Sequence, residues 1–458
     1  MHVFKLPENF LIGTANSAFQ SEGALDRDGR SPSVMDYYAA KYAGQTPPNR
    51  KEPITKDIPD RGCYFYDNYE AYIDDMVRTG QNTFRLSIAW SRVIPTGFGE
   101  VNPKGLEFYG KVIDKLLSAG IKPMVDLNHW DLPQCLVELG GYENENFPQW
   151  FEDYARVCFE AFGDRVPYWS TVNESSVQCG GGYLTGTFPP FRKDLKGGQL
   201  ACHRLLLGHY RVVRLYKSMS LPGKIGAVNH FMVVYPGSTK DKDKLAAQIR
   251  LGRQFEWWAG PMLEGKYPEV VLENCPEVLA NMPENFRSEL AENFVPMDFI
   301  GCNYYYARYS FWDENSILKS TNVEDFYAQP DGFRHSPYYA GLYDLLMYIK
   351  ERHGDIEVMI TENGLGIMND GSEEAEQKEL NDDVRCEYIR EHLRMISRAI
   401  DAGVNVTGYY YWNDADSYEE LVGYDYRFGL TYVDRDGNRT WKKSRHYFSD
   451  ICRTHIVP

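Results

Sequence analysis

The sequence predicts a closed (β/α)8 barrel, in which eight parallel strands alternate with helices. Three observations support this prediction: eight short apolar runs spread along the chain, amphipathic helical stretches between them, and a glycine directly after each of four helices. A chain of 458 residues is long enough for one such barrel with long loops. We therefore expect residues 1–458 to form a single barrel domain.

Eight runs have middles of Val, Ile, Leu, Phe and Tyr, as buried parallel strands require. In chain order they are Phe10–Asn16, Asn82–Ile88, Lys122–Asn128, Tyr168–Glu174, Lys224–Phe231, Asp298–Tyr305, Glu357–Asn363 and Val406–Trp412. Parallel strands of one barrel end at the same mouth, so the residues at the ends of these runs are expected to converge there.

Four stretches carry apolar residues at helical spacing and are each followed by a glycine. They are Phe65–Thr79 before Gly80, Leu106–Ala119 before Gly120, Phe151–Phe162 before Gly163, and Cys386–Ala402 before Gly403. A glycine in this position predicts a left-handed residue that ends the helix. The longest stretches outside the predicted strands and helices follow strands: Ser17–Gly62, Gln178–Gly197 and Ala307–Pro337. We expect these stretches to be loops that build the functional site.

Composition and charge exclude several classes of protein. Apolar residues make up 43% and charged residues 25%, which is typical of a globular protein rather than a disordered chain. The net charge of −16 would repel nucleic acid and an anionic membrane, so neither is expected as a partner. The charge does not bear on the oligomeric state, which the sequence leaves open.

The nine cysteines are scattered and form no CxxC pair, so a zinc site is not expected. Their odd number suits a reducing compartment. The N-terminus lacks the basic start and apolar core of a signal peptide, and nothing approaches the length of a transmembrane helix. The expected location is the cytoplasm.

Polar and aromatic side chains lie at or just after the ends of the predicted strands, except Arg85, which lies within the second strand. They are Gln20, Arg85, His129, Asn173, Glu174, Asn303, Tyr305, Glu362, Asn363 and Trp412. Two carboxylates, several amides and aromatic faces suit an uncharged polyhydroxylated ligand. Two carboxylates at one barrel mouth can hydrolyse a glycosidic bond, one as nucleophile and the other as acid and then base.

Each of these residues also has a structural interpretation. A carboxylate at a strand end, such as Glu174, is often a cap or a surface residue. Arg85 lies inside an apolar run. A buried arginine needs a carboxylate partner even where its role is only structural. His129 could make a structural hydrogen bond, and Tyr305 could belong to the core. Composition and spacing therefore predict an enzyme on a barrel and leave the reaction open.

Seven motifs resemble glycoside hydrolase family 1, the β-glucosidase family, in order and over nearly the whole chain, from about Phe10 to Phe448. They are GTANSAFQSEGA (Gly13–Ala24), FRLSIAWSR (Phe84–Arg92), NHWDLPQ (Asn128–Gln134), TVNES (Thr171–Ser175), DFIGCNYY (Asp298–Tyr305), ITENG (Ile360–Gly364) and the segment Gly408–Leu430. Any one alone is weak, but seven in sequence are very specific.

The resemblance implies a retaining β-glycosidase without cofactor or metal, whose partner is a small β-glycoside, first of all a β-glucoside. Glu362 matches the nucleophile of the family and Glu174 its acid/base. The charge of Glu362 would raise the pKa of Glu174 until the glycosyl bond forms. Asn173 matches the residue that binds the 2-hydroxyl of the sugar.

Further site residues follow from the same resemblance. Arg85 and Tyr305 match residues that hold the nucleophile by ion pairing and hydrogen bonding. The predicted substrate-binding residues are Gln20, His129, Asn303, Trp412, Glu419 and Glu420. Among them, Trp412 matches the aromatic platform beneath the sugar ring.

Three departures from the family pattern stand out. Ser175 replaces a proline after the acid/base, which predicts a looser loop. Glu420 stands where the family usually has a tryptophan; it either selects an unusual neutral or amino-substituted sugar or turns outward. His335 aligns near another usual tryptophan, before the run Tyr338–Leu342, and Phe333 could supply a stacking face instead, so the leaving group stays open.

Two alternative functions stay open beside the β-glycosidase. A 6-phospho-β-glycosidase would need a basic phosphate pocket, and Glu419 and Glu420 are the opposite. A catalytically weak sugar-binding relative would not need both Glu174 and Glu362.

Overall fold

The computed structural model describes residues 4–323 and 337–458 of the chain. Eight parallel strands close into a barrel, and each pairs with its neighbours in chain order. They are β1 (Leu11–Ala15), β2 (Thr83–Ser87), β3 (Lys122–Asp126), β4 (Tyr168–Asn173), β5 (Lys224–His230), β6 (Phe299–Asn303), β7 (Glu357–Asn363) and β8 (Val406–Trp412). Strand β8 returns to pair with β1. The predicted (β/α)8 barrel is confirmed, with strand boundaries within two residues of those predicted.

Helices connect the strands and form the outer layer. Within the described residues they are α1 (Ala18–Ser21), α2 (Val34–Lys41), α3 (Phe65–Thr79), α4 (Trp90–Val93), α5 (Pro103–Ser118), α6 (Gln134–Glu138), α7 (Phe147–Phe162), α8 (Leu195–Ser218), α9 (Asp241–Leu251), α10 (Trp257–Glu264), α11 (Glu269–Asn274), α12 (Pro276–Ala280), α13 (Phe286–Asn293), α14 (Tyr339–His353), α15 (Glu373–Leu380), α16 (Asp383–Asp401) and α17 (Lys443–Thr454). In the part of the chain that the structure describes, no helix combines the length and apolarity needed to cross a bilayer.

Short strand pairs and helical segments lie outside the barrel. The strand pairs outside it are Phe4–Lys5 with Ile456–Val457, Arg308–Trp312 with both Val234–Pro236 and Ser320–Val323, Ile367–Met368 with Tyr426–Arg427, and Thr431–Val433 with Arg439–Trp441. A short 3₁₀-helix lies at Gly141–Glu143, and π-helical segments lie at Ser176–Thr185 and Gly252–Glu256.

Three of the four predicted glycine stops adopt the left-handed conformation, and one does not. The φ angles of Gly80, Gly120 and Gly403 are 87°, 77° and 85°. Gly163 has φ −65°, so its predicted left-handed stop is wrong. The glycine there serves close packing instead, because an added Cβ would lie 2.6 Å from Leu221 Cδ1.

The segments predicted as loops contain regular structure, so that prediction was wrong in detail. Helices α1 and α2 lie in the segment after β1, the helical turn Ser176–Thr185 follows β4, and the strand Arg308–Trp312 follows β6. Helix α1 is fully buried, since it lies over the end of the barrel, where Ala18 N donates to Ser87 Oγ across 2.8 Å.

The core has two layers. Large apolar side chains from strands and helices fill the space between the barrel and its outer helices. A smaller cluster fills the inside of the barrel, with Leu11, Met124, Val228, Phe299, Met359 and Tyr410 among its members. Because these side chains close the barrel below, the residues at the carboxyl ends of the strands lie above a packed floor.

Candidate active site

A cavity of about 180 Å³ opens at the carboxyl ends of the barrel strands. Its lining combines four carboxylates with amide, imidazole and aromatic groups: Gln20, His129, Trp130, Asn173, Glu174, Val177, Phe188, His230, Tyr305, Tyr306, Glu362, Trp412, Glu419, Glu420 and Phe428. Of the eleven residues predicted from the sequence, nine line this cavity. Arg85 and Asn303 lie directly behind it, as their contacts below show.

Glu362 projects from β7, where the pairing register with β6 shifts between Ile360 and Glu362. Such an irregularity re-aims a strand side chain. Both carboxylate oxygens of Glu362 are held: Arg85 Nη1 donates to Oε1 across 2.6 Å, and the Tyr305 hydroxyl donates to Oε2 across 2.8 Å. Burial, followed by the charge of Glu362, raises the pKa of Tyr305 well above its usual range, so the phenol keeps the proton that it donates.

Arg85 is fully buried between two carboxylates. Its Nη2 lies 2.6 Å from Asp126 Oδ2, and its Nη1 lies 2.6 Å from Glu362 Oε1. Burial opposes the charged guanidinium, but Asp126 and Glu362 together raise the pKa of Arg85 above its usual value. A buried arginine is stable in this way only with such partners. Asp126 was missed from the sequence, because it lies two residues before the end of the predicted strand Lys122–Asn128 and ends only the observed strand β3.

Glu174 follows β4 with a φ of 48°, a left-handed conformation that is uncommon outside glycine. The backbone is held there because Glu174 N donates to Val228 O across 2.9 Å. Asn303 Nδ2 donates to Glu174 Oε1 across 2.8 Å. Burial, and then the charge of Glu362, raise the pKa of Glu174 well above its usual range. This shift favours the protonated form of the carboxyl group.

The Asn173 side chain is fixed in orientation by three neighbours. Its Oδ1 accepts from Arg85 Nη2 across 2.7 Å and from Asn303 Nδ2 across 3.0 Å. Its Nδ2 lies 3.0 Å from His129 Nε2. Since an amide nitrogen can only donate, Asn173 Nδ2 donates to His129 Nε2, and His129 Nδ1 lies 3.5 Å from Asp126 Oδ2.

Ser175 does not leave the loop after Glu174 loose, contrary to the expectation from the sequence. Its backbone N–H donates to Asn229 Oδ1 across 2.9 Å, and the residue is fully buried. A proline has no N–H and could not make this bond.

Residues of α1, of the end of β8 and of the loop after β8 form another part of the cavity wall. Gln20 Nε2 donates to Tyr418 O across 3.0 Å and lies 3.5 Å from Glu419 Oε2, while Ser17 Oγ donates to Gln20 Oε1 across 2.6 Å. Trp412 ends β8 and lies with its ring centroid 5.8 Å from that of His129. An aromatic side chain, Trp412, and the polar side chains of Gln20 and Glu419 therefore line this part of the cavity.

Glu420 lines the cavity beside Glu419 and is only 6% exposed, so the alternative in which it turns outward is wrong. Burial, followed by the charge of Glu419, raises its pKa well above the usual range. Asn303 was predicted to bind substrate, but its amide is occupied by Glu174 and Asn173 behind the cavity wall.

Several lining residues were missed from the sequence, of which His230 is the most informative. It ends β5, so reading the end of that predicted strand would have found it. Burial lowers the pKa of His230 to about 3, which keeps the imidazole neutral. Phe333 and His335, considered for the leaving-group side, lie outside the described residues.

Comparison with known proteins identifies the family. The sequence model described as "Glycosyl hydrolase family 1" matches residues 2–456. Beta-glucosidase A of Thermotoga maritima is 36% identical, over 99% of each chain. 6-phospho-beta-glucosidase GmuD of Bacillus subtilis is 35% identical, over 98% of each chain.

A solved structure of the family 1 β-glucosidase from Thermotoga maritima, in complex with isofagomine lactam, superposes with a TM-score of 0.91. It is 34% identical and covers 100% of both chains. The resemblance read from the seven motifs is confirmed: the chain belongs to glycosyl hydrolase family 1 and is a β-glucosidase-like glycoside hydrolase.

Proposed function

We propose that this enzyme hydrolyses small β-glycosides, first of all β-glucosides, by two displacements that retain the anomeric configuration. One observation carries the proposal: Glu362 has both oxygens held by Arg85 and Tyr305, while Glu174 in the same cavity has a pKa raised by burial and by Glu362. One carboxylate is thus oriented by a guanidinium and a phenol, and the surroundings of the other favour its protonated form. This pairing is what a retaining glycosidase needs.

In the first step, Glu362 attacks the anomeric carbon and forms a carbon–oxygen bond to the sugar. The bond from the anomeric carbon to the leaving oxygen breaks, and that oxygen takes the proton of Glu174. The result is a glycosyl ester on Glu362, a free alcohol and an ionised Glu174. Forming the ester removes the charge of Glu362, and this lowers the pKa of Glu174 for the second step.

In the second step, a water molecule attacks the anomeric carbon from the side that the alcohol left. Ionised Glu174 takes a proton from this water, and the ester bond to Glu362 breaks. The sugar leaves with a new hydroxyl, and both carboxyl groups return to their starting states. An alcohol in place of water would give transglycosylation by the same route.

The remaining residues bind the sugar or position the reacting groups. We propose that Asn173 donates to the 2-hydroxyl, that Gln20 and Glu419 bind the outer hydroxyls, and that Trp412 lies against the ring. His129 lies beside them and fixes the Asn173 amide. Arg85, Tyr305 and Asn303 position Glu362 and Glu174. Residues 1–458 would act as one catalytic domain.

A β-glucoside is the proposed substrate because the relatives named beta-glucosidases match over the full chain. The relative named 6-phospho-beta-glucosidase makes a phosphorylated sugar the second candidate. The carboxylates of Glu419 and Glu420 in the cavity disfavour it, since they would repel a phosphate. A cytoplasmic location is proposed on the nine cysteines, which are all free thiols.

The test is a set of initial rates on 4-nitrophenyl β-glycosides: glucoside, galactoside, fucoside, xyloside and 6-phosphoglucoside. We expect turnover of the neutral glucoside, loss of that turnover in Glu362→Gln, and β-glucose as the first product anomer in NMR spectra. A 2-deoxy-2-fluoroglucoside with a good leaving group should label Glu362. Release of the α-anomer first, or full activity of Glu362→Gln, would overturn the mechanism. A preference for the 6-phosphoglucoside would overturn the substrate class.

A further inference from the structure

The part of the cavity wall beside Glu174 is apolar. Val177 follows Glu174 closely in the chain, and Val177 N donates to Glu174 O across 2.9 Å. Trp130 lies in the loop after β3, where its Nε1 donates to Asn173 O across 3.1 Å. The Phe188 ring packs edge-on against Trp130, with ring centroids 5.6 Å apart. All three side chains line the cavity, and with the indole N–H already bonded they offer a ligand apolar surface.

Packing from behind holds this apolar wall, formed by Trp130, Val177 and Phe188, in place. A second, smaller cavity is lined by the same three residues together with apolar side chains that include Leu132 and Val137. Val177 and Phe188 pack against the main core but stay partly exposed. The apolar wall therefore presents surface to water that a bound ligand can cover, and covering it favours binding.

The geometry of the reaction decides which part of a substrate meets the apolar wall. Glu362 attacks the anomeric carbon from one side, and the leaving oxygen departs on the other side, where Glu174 gives it a proton. The leaving group must therefore extend from Glu174. The apolar wall lies at this position, because Val177 bonds to Glu174 and Trp130 bonds to the residue before it.

His230 adds a polar group beside Glu174. Glu174 N donates to Val228 O, and His230 lies two residues further along β5, on the same face of the strand, where it lines the cavity. Burial lowers the pKa of His230 to about 3, so the imidazole is neutral. Among the described residues its buried Nε2 has no hydrogen-bond partner, which leaves the other ring nitrogen to meet a ligand. His230 can thus give a leaving group one hydrogen bond.

We propose that the natural leaving group is an apolar alcohol, alkyl or aryl, rather than a second sugar. The inference rests on the proposed β-glycosidase function and names its substrate class. A sugar leaving group would place several hydroxyls against side chains that cannot bond to them, and burying unpaired hydroxyls costs free energy. An alkyl chain or an aromatic ring instead covers the apolar wall, and its single oxygen is served by Glu174.

The experiment compares a series of alkyl β-glucosides, from ethyl to hexyl, with cellobiose, by the rate of glucose release. The alkanol leaving groups have nearly equal pKa values, so the chemical step is constant along the series. We expect kcat/KM to rise roughly fourfold for each CH₂ group that the apolar wall covers. The hexyl glucoside should exceed cellobiose.

Two variants test whether the apolar wall causes this gain. Phe188→Ala removes the ring, and Val177→Thr replaces a methyl group by a hydroxyl in nearly the same shape. In each variant the ratio of kcat/KM for the hexyl and ethyl glucosides should fall roughly tenfold, whatever happens to the ethyl rate itself. Phe98→Ala is the control, since this phenylalanine is 43% exposed and stacks on Trp150 outside the cavity. It should leave the ratio intact. Labelling of Glu362 by the fluoroglucoside shows that each variant retains a folded site.

The outcomes separate this inference from the proposed function. Turnover of the glucosides with no gain along the series would overturn the role of the apolar wall and leave the β-glycosidase standing. Faster turnover of cellobiose than of the hexyl glucoside, or a gain that persists in both Phe188→Ala and Val177→Thr, would also overturn it. If no glucoside is turned over and Glu362 is not labelled, the proposed function fails, and this inference fails with it.

Discussion

Asn303 Nδ2 donates to Glu174 Oε1 across 2.8 Å, and the same nitrogen lies 3.0 Å from Asn173 Oδ1. Through Asn303, strand β6 thereby contacts both Asn173, which ends β4, and Glu174, which follows it. The bond to Glu174 stabilises its ionised form, so it lowers the pKa of Glu174 against burial and the charge of Glu362, which raise it. Asn303 therefore limits how strongly the carboxyl group holds its proton.

Replacement of Asn303 by alanine should raise the pKa of Glu174 further. Activity requires protonated Glu174 in the first step and falls as pH rises through its pKa, so the basic limb of the kcat/KM profile should move to higher pH. We expect kcat to fall roughly tenfold, as for loss of one hydrogen bond to a charged group. Asn363→Ala is the control, because that buried amide contacts Tyr304 O and not Glu174. A basic limb that moves equally in both variants would show a general structural effect.

Glu174→Ala should separate substrates by their leaving groups. A 4-nitrophenyl glucoside should lose about 10²–10⁴ in rate, the usual contribution of general acid–base catalysis. A 2,4-dinitrophenyl glucoside needs little protonation, so formation of the glycosyl ester should change far less. Sodium azide should restore turnover and yield β-glucosyl azide, because it attacks without a general base. Equal losses for both leaving groups, with no rescue, would contradict the acid/base role.

The hydroxyl of Tyr305 should contribute through its bond to Glu362 Oε2. Tyr305→Phe removes this donor, and we expect the rate of Glu362 labelling by the fluoroglucoside to fall roughly ten- to a hundredfold. Tyr410→Phe is the control: that tyrosine is also buried, but its hydroxyl lies 3.0 Å from Thr83 Oγ1 instead. The two variants should have similar melting temperatures. Similar labelling rates in both would show that the Tyr305 hydroxyl has no specific role.

The barrel and most of its mouth were predictable because the strands are short apolar runs and most polar site residues lie at or directly after strand ends. Glu174, Asn303 and Glu362 could be located in this way from the sequence alone. Asp126 and His230 end strands as well, but residues of these types are common at strand ends and no partner was apparent. Which of two strand-end residues faces the cavity depends on three-dimensional packing, as the position of Asn303 behind the wall shows.

Details that depend on contacts between distant parts of the chain could not be predicted from the sequence. Gly163 fits the pattern of a glycine that ends a helix. A glycine is needed there, however, because the chain approaches Leu221, 58 positions further along, too closely for a Cβ. Ser175 was expected to loosen its loop, yet its N–H meets Asn229 from the next strand. The inward direction of Glu420 likewise follows from folding of the loop after β8 over the cavity.

Asp131 provides a test of stability against pH. Burial raises its pKa to about 8; Arg30 opposes the rise, while Asp36 and Glu22 add to it. In the unfolded chain this carboxyl ionises near pH 4. The folded form binds more protons between these values, so stability is lost as pH rises from about 4 to about 8.

Asp131→Asn should remove this loss of folding stability at high pH. Its melting temperature should equal that of the wild type near pH 4 and exceed it by a few degrees at pH 8, as roughly 1 °C per kcal/mol is expected for a chain of this size. Circular dichroism melts at both values measure the difference. Asp153→Asn, at an exposed position on α7, should show no such dependence on pH. If Asp131→Asn were equally destabilised at both values, the carboxyl would be ionised throughout and paired with Arg30.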